Sequence, residues 1–421
     1  MSETPEPAAP DSAETLAAAP AAGPLTLRER VGALDAVRGF ALLGICIVNL
    51  PQFGRPVMEE PPLAGADQVV MAGVSALAIS RLFPLFACLY GYGIAVQVRR
   101  ADERPDRGAL GPRFARRSVG LFVLGALHAV FLFFGDILAF YALLALPLWI
   151  ARRWTPKTLA ILAGVVLFLT AGFYLLLGLI YGAAATGMID GGMPPPDAAA
   201  ATLEVESSGY AGSFMEATRQ RIGDLPFAAF LVLLLNGPVS LAAGLLGLAG
   251  GQLRLFERFS ERRRRCWQVA AWLTPVVLLG GALGGAAMAY MREVPFWITG
   301  LGFGLSPFAG PALGAIYALL VTEIAESRRS LASVLSAPLR VAGRVSLSHY
   351  VGQSAMAGFV FGGWGLGYFG ELGVAVCLPL ALLHWCLLTA LAALWLRFFR
   401  LGPLEWLLRS LTYGRPMPLL R

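Results

Sequence analysis

The chain has 421 residues, of which 57% are hydrophobic and only 14% are charged. A soluble domain usually carries about 25% charged residues, so this composition excludes an ordinary soluble protein and predicts a polytopic membrane protein. The formal net charge is +7, but the basic residues are spread between apolar segments. The expected partner is therefore the lipid bilayer and not nucleic acid.

Three regions are expected along the chain. Residues 1–27 are rich in Ala, Pro, Ser and acidic residues, which predicts a disordered tail. Residues 28–415 are expected to form a single transmembrane helical domain, and residues 416–421 a short C-terminal tail. Within the domain, an extracytoplasmic loop is expected at about 183–225. Its second half is weakly amphipathic, so it is either a surface helix that roofs an outward-facing site or a plain connector.

Ten apolar segments are each long enough to cross a bilayer, which needs about 20 apolar residues. The predicted fold class is therefore an all-α membrane helix bundle. The second segment has its best core at 80–96, the sixth is expected to break at Asn236-Gly237-Pro238, and the eighth to kink at Pro307 and Pro311. The predicted spans are roughly 34–53, 69–98, 117–134, 136–151, 157–182, 226–251, 267–290, 296–324, 345–367 and 373–396.

The basic residues predict the orientation of the bundle. If the N-terminus is cytoplasmic, 27 of the 33 Lys and Arg residues fall in cytoplasmic segments. This is the bias that the positive-inside rule describes. Both termini are therefore expected in the cytoplasm.

The first span, LDAVRGFALLGICIVN (34–49), contains three polar residues of interest. Asp35 and Arg38 lie three residues apart on one helix face. They either neutralise each other at the membrane interface, or Arg38 binds a phosphate or carboxylate of a substrate. Asn49, near the other end of the span, is either an interhelical hydrogen-bonding residue or a substrate contact.

His128 and Asp136 flank a predicted helical hairpin in which Gly135 ends one helix and Asp136 caps the next. Asp136 is either a plain cap or the group that orients His128 as a general base. Spacing alone does not bring them together, because a continuous helix would separate them by about 12 Å. Arg81, at the start of the second core span, is expected in the same outer half of the membrane as His128.

The ninth span carries a polar cluster, Ser346, Ser348, His349, Gln353 and Ser354. His349 and Gln353 share a face because they are four residues apart. Interhelical hydrogen bonding and substrate binding both remain open for them. The five cysteines form no CxxC pattern, so neither a metal site nor disulfides are expected.

Several stretches together resemble the YeiB-like family of bacterial membrane proteins, defined by domain of unknown function 418. The resemblance covers about residues 28–415. The stretches that carry it are LDAVRGFALLGICIVN (34–49), FPLFACLYGYG (83–93), LHAVFLFFGDILAFYALL (127–144), GRVSLSHYVGQS (343–354) and GPLEWLLRSLTYG (402–414).

This family is similar to a wider superfamily of transmembrane acyltransferases. The resemblance implies transfer of an acyl group from cytoplasmic acyl-CoA to a glycan, lipid or small-molecule acceptor on the far side of a bacterial cell membrane. It implies no permanently bound cofactor. Arg38 is the shared arginine of the first helix, whereas Asn49 stands where the acyltransferase-3 proteins have their histidine.

The resemblance leaves His128 as the replacement base, with Asp136 as its partner. In that scheme Arg81 or Asn49 stabilises the oxyanion, and Arg113, Arg116 and Arg117 hold the phosphates of CoA. Two other functions remain open: a transporter or exporter of a metabolite or lipid, and a non-catalytic partner or sensor subunit. The oligomeric state is not predicted.

Overall fold

The computed structural model describes residues 32–55, 64–103, 110–190, 204–327 and 329–421. The predicted tail at 1–27 and residues 191–203 of the predicted loop lie outside these ranges. The first helices are α1 (Gly32–Phe53), α2 (Gly65–Leu77), α3 (Leu82–Asp102), α4 (Leu110–Phe131), α5 (Leu138–Ala151), α6 (Pro156–Ala185) and α7 (Phe214–Leu231). The others are α8 (Gly237–Gln252), α9 (Phe259–Ala289), α10 (Phe296–Glu326), α11 (Ser330–Arg344), α12 (Ser346–Phe361), α13 (Val374–Phe398) and α14 (Pro403–Tyr413).

The predicted all-α fold is confirmed. Within the described ranges helix is nearly continuous, a further helical segment covers 204–210, and the one β-bridge joins Phe399 to Leu420. Eight described helical stretches are long and apolar enough to cross a membrane. The other two predicted spans are short helices, α5 with 14 residues and α12 with 16. At 1.5 Å per residue each is shorter than the roughly 30 Å hydrocarbon core.

Two of the predicted spans are interrupted. The second predicted span is two helices, α2 and α3, joined at 78–81, where Ser80 adopts a positive φ of 61°. The sixth contains a π-helical turn, Val232–Asn236, directly before Gly237-Pro238. Proline removes a backbone donor, and a local π turn is one way to accommodate that loss. The eighth predicted span is a single helix, α10, that contains Pro307 and Pro311.

Glycines set the closest helix contacts of the bundle. A Cβ on Gly91 would lie 2.0 Å from the carbonyl oxygen of Gly244, and one on Gly247 would lie 1.9 Å from that of Cys88. Helices α3 and α8 therefore touch backbone to backbone, as small residues allow in membranes. α1 and α11 cross as closely, since a Cβ on Gly343 would lie 1.8 Å from the Asp35 carbonyl.

Two helices outside the candidate spans, α11 and α14, support the bundle at the end that carries most basic residues. Leu331 and Val334 of α11 are each 68% exposed, which is typical of a helix lying in a membrane interface. The last residues, 416–421, fold back on the protein: Arg400 N donates to the Leu419 carbonyl at 2.8 Å, and Trp406 Nε1 donates to the Met417 carbonyl at 2.7 Å.

Candidate functional site

The hairpin between α4 and α5 brings the two predicted catalytic residues together. α4 ends at Phe131 and α5 begins at Leu138, so the chain reverses over six residues. Asp136 Oδ2 accepts a hydrogen bond from the Ala139 backbone N–H at 2.6 Å and so caps α5. The close approach of α4 to the start of α5 requires glycine at position 125, because a Cβ there would lie 2.2 Å from the Ala139 nitrogen.

The second oxygen of Asp136 faces His128. Its Oδ1 atom lies 2.9 Å from His128 Nδ1, and both side chains are almost completely buried. The two atoms are close but poorly aligned, since neither makes a hydrogen bond of good geometry within the described ranges. Asp136 thus serves both as a helix cap and as the carboxylate beside the imidazole.

The other nitrogen of His128 meets α12. Ser354 Oγ lies 2.8 Å from His128 Nε2, and Ser354 is 2% exposed. An ionised carboxylate only accepts hydrogen bonds, so beside Asp136 the imidazole proton belongs on Nδ1. Nε2 then accepts from the Ser354 hydroxyl. Asp136, His128 and Ser354 therefore form a buried array in the order carboxylate, imidazole, hydroxyl, which is the order of groups that activates a serine in hydrolases.

Aromatic rings enclose this array. The ring of Tyr350, one turn before Ser354 on α12, lies 4.9 Å from that of His128, and the ring of Phe133 lies 6.5 Å away. The Tyr350 hydroxyl is buried and makes no hydrogen bond of good geometry within the described ranges. The array therefore lies in a dry, low-dielectric environment, where electrostatic interactions are strong.

A small cavity lies one helical turn from the array. Its volume of about 20 Å³ is room for roughly one water molecule. Phe133 and Gly358 line it, and Gly358 is four residues beyond Ser354 on the same face of α12. Arg55 and Arg221 also line it, and Arg221 Nε donates to the Val130 carbonyl at 3.2 Å. Phe133 lies between this cavity and His128.

The region of the predicted loop covers the cavity. Tyr210, from the helical segment 204–210, lines it and stacks on Phe369 with ring centroids 5.2 Å apart. The Tyr210 hydroxyl donates to Asp224 of α7 at 2.5 Å. Burial and this carboxylate raise the pKa of Tyr210. The segment therefore packs as a roof over this end of the bundle.

The residues of α1 divide between the two ends of the helix. Arg38 Nη1 and Asp35 Oδ1 are 3.0 Å apart within the first turn, so they form the ion pair that their spacing indicates. Asn49 is half-buried near the other end. It is four residues before Phe53 and shares its face, and Phe53 stacks on Phe133 at 4.3 Å. Asn49 therefore faces the side of the bundle that holds the array.

Arg81 lies at the break between α2 and α3, away from the array. It is 3% exposed, and its Nη1 donates to the Ile79 carbonyl at 2.5 Å. Nε and Nη2 have no hydrogen-bond partner among the described residues. A Cβ on Gly284 would lie 4.0 Å from Nη2, which places this guanidinium against α9.

His349 and Gln353 link three helices rather than joining the array. His349 Nε2 lies 3.2 Å from Thr389 Oγ1 on α13. Gln353 Nε2 lies 3.2 Å from His349 Nδ1 and donates to the Leu42 carbonyl of α1 at 3.1 Å. These contacts match interhelical hydrogen bonding, one of the two roles that the sequence left open.

The three arginines proposed to hold CoA lie at the start of α4, against α14. Arg113 lies over the Tyr413 ring at 5.5 Å and Arg117 over the Tyr90 ring at 5.7 Å. Arg116 is exposed beside Gly414. Arg117 and His128 are eleven residues apart, so they share one face of α4 and are separated by about 16 Å along its axis.

Sequence reasoning missed the role of Ser354 and Tyr350. Ser354 was noted only as one of a polar cluster. The spacing of the two residues indicates that they share a face of α12, but nothing local indicates that this face meets α4. Contact between Ser354 and His128 joins residues 226 apart in the chain.

These features define a multi-pass membrane helix bundle with a buried polar site. Residues 251–415 match the family described as "Protein of unknown function (DUF418)". The chain also resembles the uncharacterized proteins YxaH of Bacillus subtilis, at 29% identity over 93% of this chain and 96% of the relative, and YeiB of Escherichia coli, at 28% over 91% and 96%. A third relative, an uncharacterized 39.9 kDa protein from the amylase 3′ region of Bacillus acidopullulyticus, is 28% identical over 94% of this chain and 98% of its own length. The chain therefore resembles YeiB and YxaH over more than nine tenths of its length, and its residues 251–415 match the DUF418 family.

Proposed function

We propose that this membrane protein is an acyltransferase that takes an acyl group from cytoplasmic acyl-CoA and passes it to an acceptor at the far side of a bacterial cell membrane. The observation that carries the proposal is the buried array of Asp136, His128 and Ser354. A neutral imidazole held by a carboxylate is suited to remove a proton from a hydroxyl or amine as it attacks a thioester. Positioned bases of this kind contribute about 10²- to 10⁴-fold to rate.

The position of the basic patch supports acyl-CoA as the donor. Arg113, Arg116 and Arg117 lie at the end of α4 that the distribution of basic residues assigns to the cytoplasm. Guanidinium groups bind phosphate strongly. The separation of about 16 Å between Arg117 and His128 along α4 suits a long, extended donor whose phosphates stay at the surface while its thioester reaches inward.

The acceptor would approach from the opposite end of the bundle. The cavity under Tyr210 lies on that side, and its two arginines, Arg55 and Arg221, favour an acceptor with anionic or strongly polar groups. The Phe133 side chain would have to move to connect this cavity with His128. The chemical class of acceptor that fits best is a polar headgroup or sugar.

A second candidate function, transport, is favoured by the α2–α3 break. Broken helices with a buried charge at the break form substrate sites in many transporters, and Arg81 provides such a charge. Transport predicts substrate flux without consumption of CoA, so the two functions are experimentally distinct.

The test is release of CoA from acetyl-CoA and longer acyl-CoAs by the purified protein in nanodiscs, with membrane extract as acceptor source. We expect release that His128→Ala lowers by about a hundredfold or more, and a weaker apparent affinity in Arg117→Ala. The matched control is His384→Gln, because His384 is also a buried histidine of a spanning helix, and its Nδ1 lies 2.9 Å from the Leu380 carbonyl of its own helix. No CoA release by any variant, or equal rates in wild type and His128→Ala, would reject the proposal.

A further inference from the structure

We propose that Ser354 is the nucleophile of this site and carries the acyl group as an ester between donor and acceptor. This inference rests on the proposed acyltransferase function and deepens it. Ser354 is on α12, the helix that faces α4 across the array, and its Oγ is the atom 2.8 Å from His128 Nε2. That distance is within reach for direct proton transfer from a hydroxyl to a base.

Three other polar side chains of α12, those of Ser348, His349 and Gln353, have structural partners. Ser348 Oγ donates to Glu405 at 2.6 Å, and Gln353 donates to the Leu42 carbonyl at 3.1 Å. His349 links α12 to Thr389 of α13. Ser354 differs because its partner is a histidine that is itself backed by a buried carboxylate.

The surroundings leave a direction of attack. Gly358, one turn beyond Ser354 on the same face of α12, has no side chain and lines the cavity, so the donor or acceptor would approach the serine from this side. Tyr350, one turn before Ser354, brings a buried hydroxyl to the same face. That hydroxyl makes no hydrogen bond of good geometry among the described residues, which makes it the nearest candidate donor to a developing oxyanion.

The chemistry takes two steps that balance. First, Ser354 Oγ attacks the thioester carbonyl while its proton passes to His128 Nε2; the C–S bond breaks, the sulfur takes that proton, and free CoA leaves. Second, the acceptor hydroxyl or amine gives its proton to the same nitrogen and attacks the serine ester; the C–Oγ bond breaks and Oγ recovers the proton. No oxidant, reductant or metal is required. The acyl group can then pass between the two ends of the bundle while CoA stays on one side.

Two measurements test this inference on the full-length protein in nanodiscs. The first is peptide mass spectrometry after brief exposure to acetyl-CoA without acceptor. We expect an acetyl group on the peptide that contains Ser354, absent in Ser354→Ala and reduced at least about tenfold in His128→Ala and Asp136→Asn. The second is labelling by a fluorophosphonate probe, which reacts with activated serines whatever the natural donor. We expect labelling at Ser354 with the same dependence on His128.

The control variant is Ser240→Ala, because Ser240 is also a fully buried serine of a spanning helix. Ser354→Cys retains a nucleophile and should trap the acyl group as a thioester. This variant shows whether Ser354→Ala loses activity because the nucleophile is missing or because the protein misfolds. One outcome rejects the serine ester alone: CoA release depends on His128, but Ser354→Ala keeps more than a tenth of the rate and no acyl adduct forms on Ser354. The proposed acyltransferase function would then still stand. If no CoA is released at all, the proposed acyltransferase function is rejected, and the fluorophosphonate probe alone tests the role of Ser354. Labelling of Ser354 that depends on His128 would support Ser354 as a nucleophile. The absence of labelling would overturn that role.

Discussion

Glu405 of α14 caps the helix that carries Ser354: its Oε1 accepts from the backbone N–H of Leu347 at 2.6 Å. The same carboxyl group accepts from the Ser348 N–H at 3.2 Å and from its hydroxyl at 2.6 Å. The first turn of a helix has N–H groups without partners inside the helix, so this contact fixes the start of α12 from another element. The stretch GPLEW therefore has a definite structural role at the foot of the site helix.

We expect Glu405→Ala to lower the free energy of unfolding by about 1–2 kcal/mol, the usual effect of losing a helix cap. Glu405→Gln should lower the free energy of unfolding much less, because the glutamine carbonyl oxygen can still accept a hydrogen bond from the Leu347 N–H. Thermal unfolding of both variants in detergent measures the difference. Equal loss in both would mean that the negative charge, not the hydrogen bonds, stabilises α12.

The pH dependence of the same pair has a defined sign. Burial raises the pKa of the Glu405 carboxyl group, against the lowering effect of its hydrogen bonds. A carboxyl group whose pKa is raised by folding stabilises the protein below its unfolded pKa, about 4.3, and loses that contribution as pH rises through the folded value. Wild type should therefore lose stability relative to Glu405→Gln as the pH rises above about 4.3, as seen in parallel melting curves. The opposite trend would contradict the raised pKa.

Gly125→Ala should disturb the position of Asp136 through a clash between α4 and the start of α5. The added methyl group would lie 2.2 Å from the Ala139 nitrogen and 2.6 Å from Asp136 Oδ2, so the α4–α5 hairpin must open. We expect a lower melting temperature and at least about a tenfold fall in CoA release, because small displacements of a catalytic group are costly. Gly164→Ala in α6 is the matched control, since a Cβ there has no atom within 4 Å, and helix propensity favours Ala. Equal behaviour of the two variants would contradict the tight contact.

Arg81→Leu separates structural from functional roles for the buried arginine. Two of its nitrogens have no hydrogen-bond partner within the described ranges, so replacing the guanidinium with an apolar group should leave the melting temperature unchanged or raise it. If Arg81 binds an anionic substrate at the α2–α3 break, turnover or flux should fall in the same variant. A large loss of stability would instead show that the guanidinium supports the fold.

Cysteine labelling tests the orientation of the bundle. Arg264 is in the basic run within the first turns of α9, Ser208 is in the roof segment 204–210, and both are exposed. In a cysteine-free background, a membrane-impermeant maleimide should label Arg264→Cys only from the cytoplasmic side and Ser208→Cys only from the other side. Labelling of both from one side would contradict the positive-inside assignment.

The sequence allowed the hairpin and most spans to be predicted, but it did not determine the site. Gly135 and Asp136 indicate a turn by their chemistry, whereas the contact of Asp136 with His128 depends on α4 ending at Phe131 rather than continuing. The ninth span was predicted to run to 367, yet α12 ends at Phe361. The apolar composition of the following residues hides a turn in which Gly367 and Gly370 adopt positive φ angles of 77° and 78°. Hydropathy does not distinguish such a turn from a span.

Ser354 and Arg81 show why the rest could not be predicted. The partner of Ser354 lies 226 residues away, and no periodicity specifies which of two polar faces of α12 meets α4. The position of Arg81 against Gly284 of α9 depends on the break at 78–81. Both outcomes depend on tertiary packing between distant helices.

The most direct measurement of the central claim is a double-mutant cycle on CoA release with His128→Ala, Asp136→Asn and the double variant. If the carboxylate acts only through the imidazole, each single variant should lose about 10²- to 10⁴-fold and the double variant should be no slower than His128→Ala. Losses that multiply in the double variant, or full activity in either single variant, would contradict a joint role for the two residues.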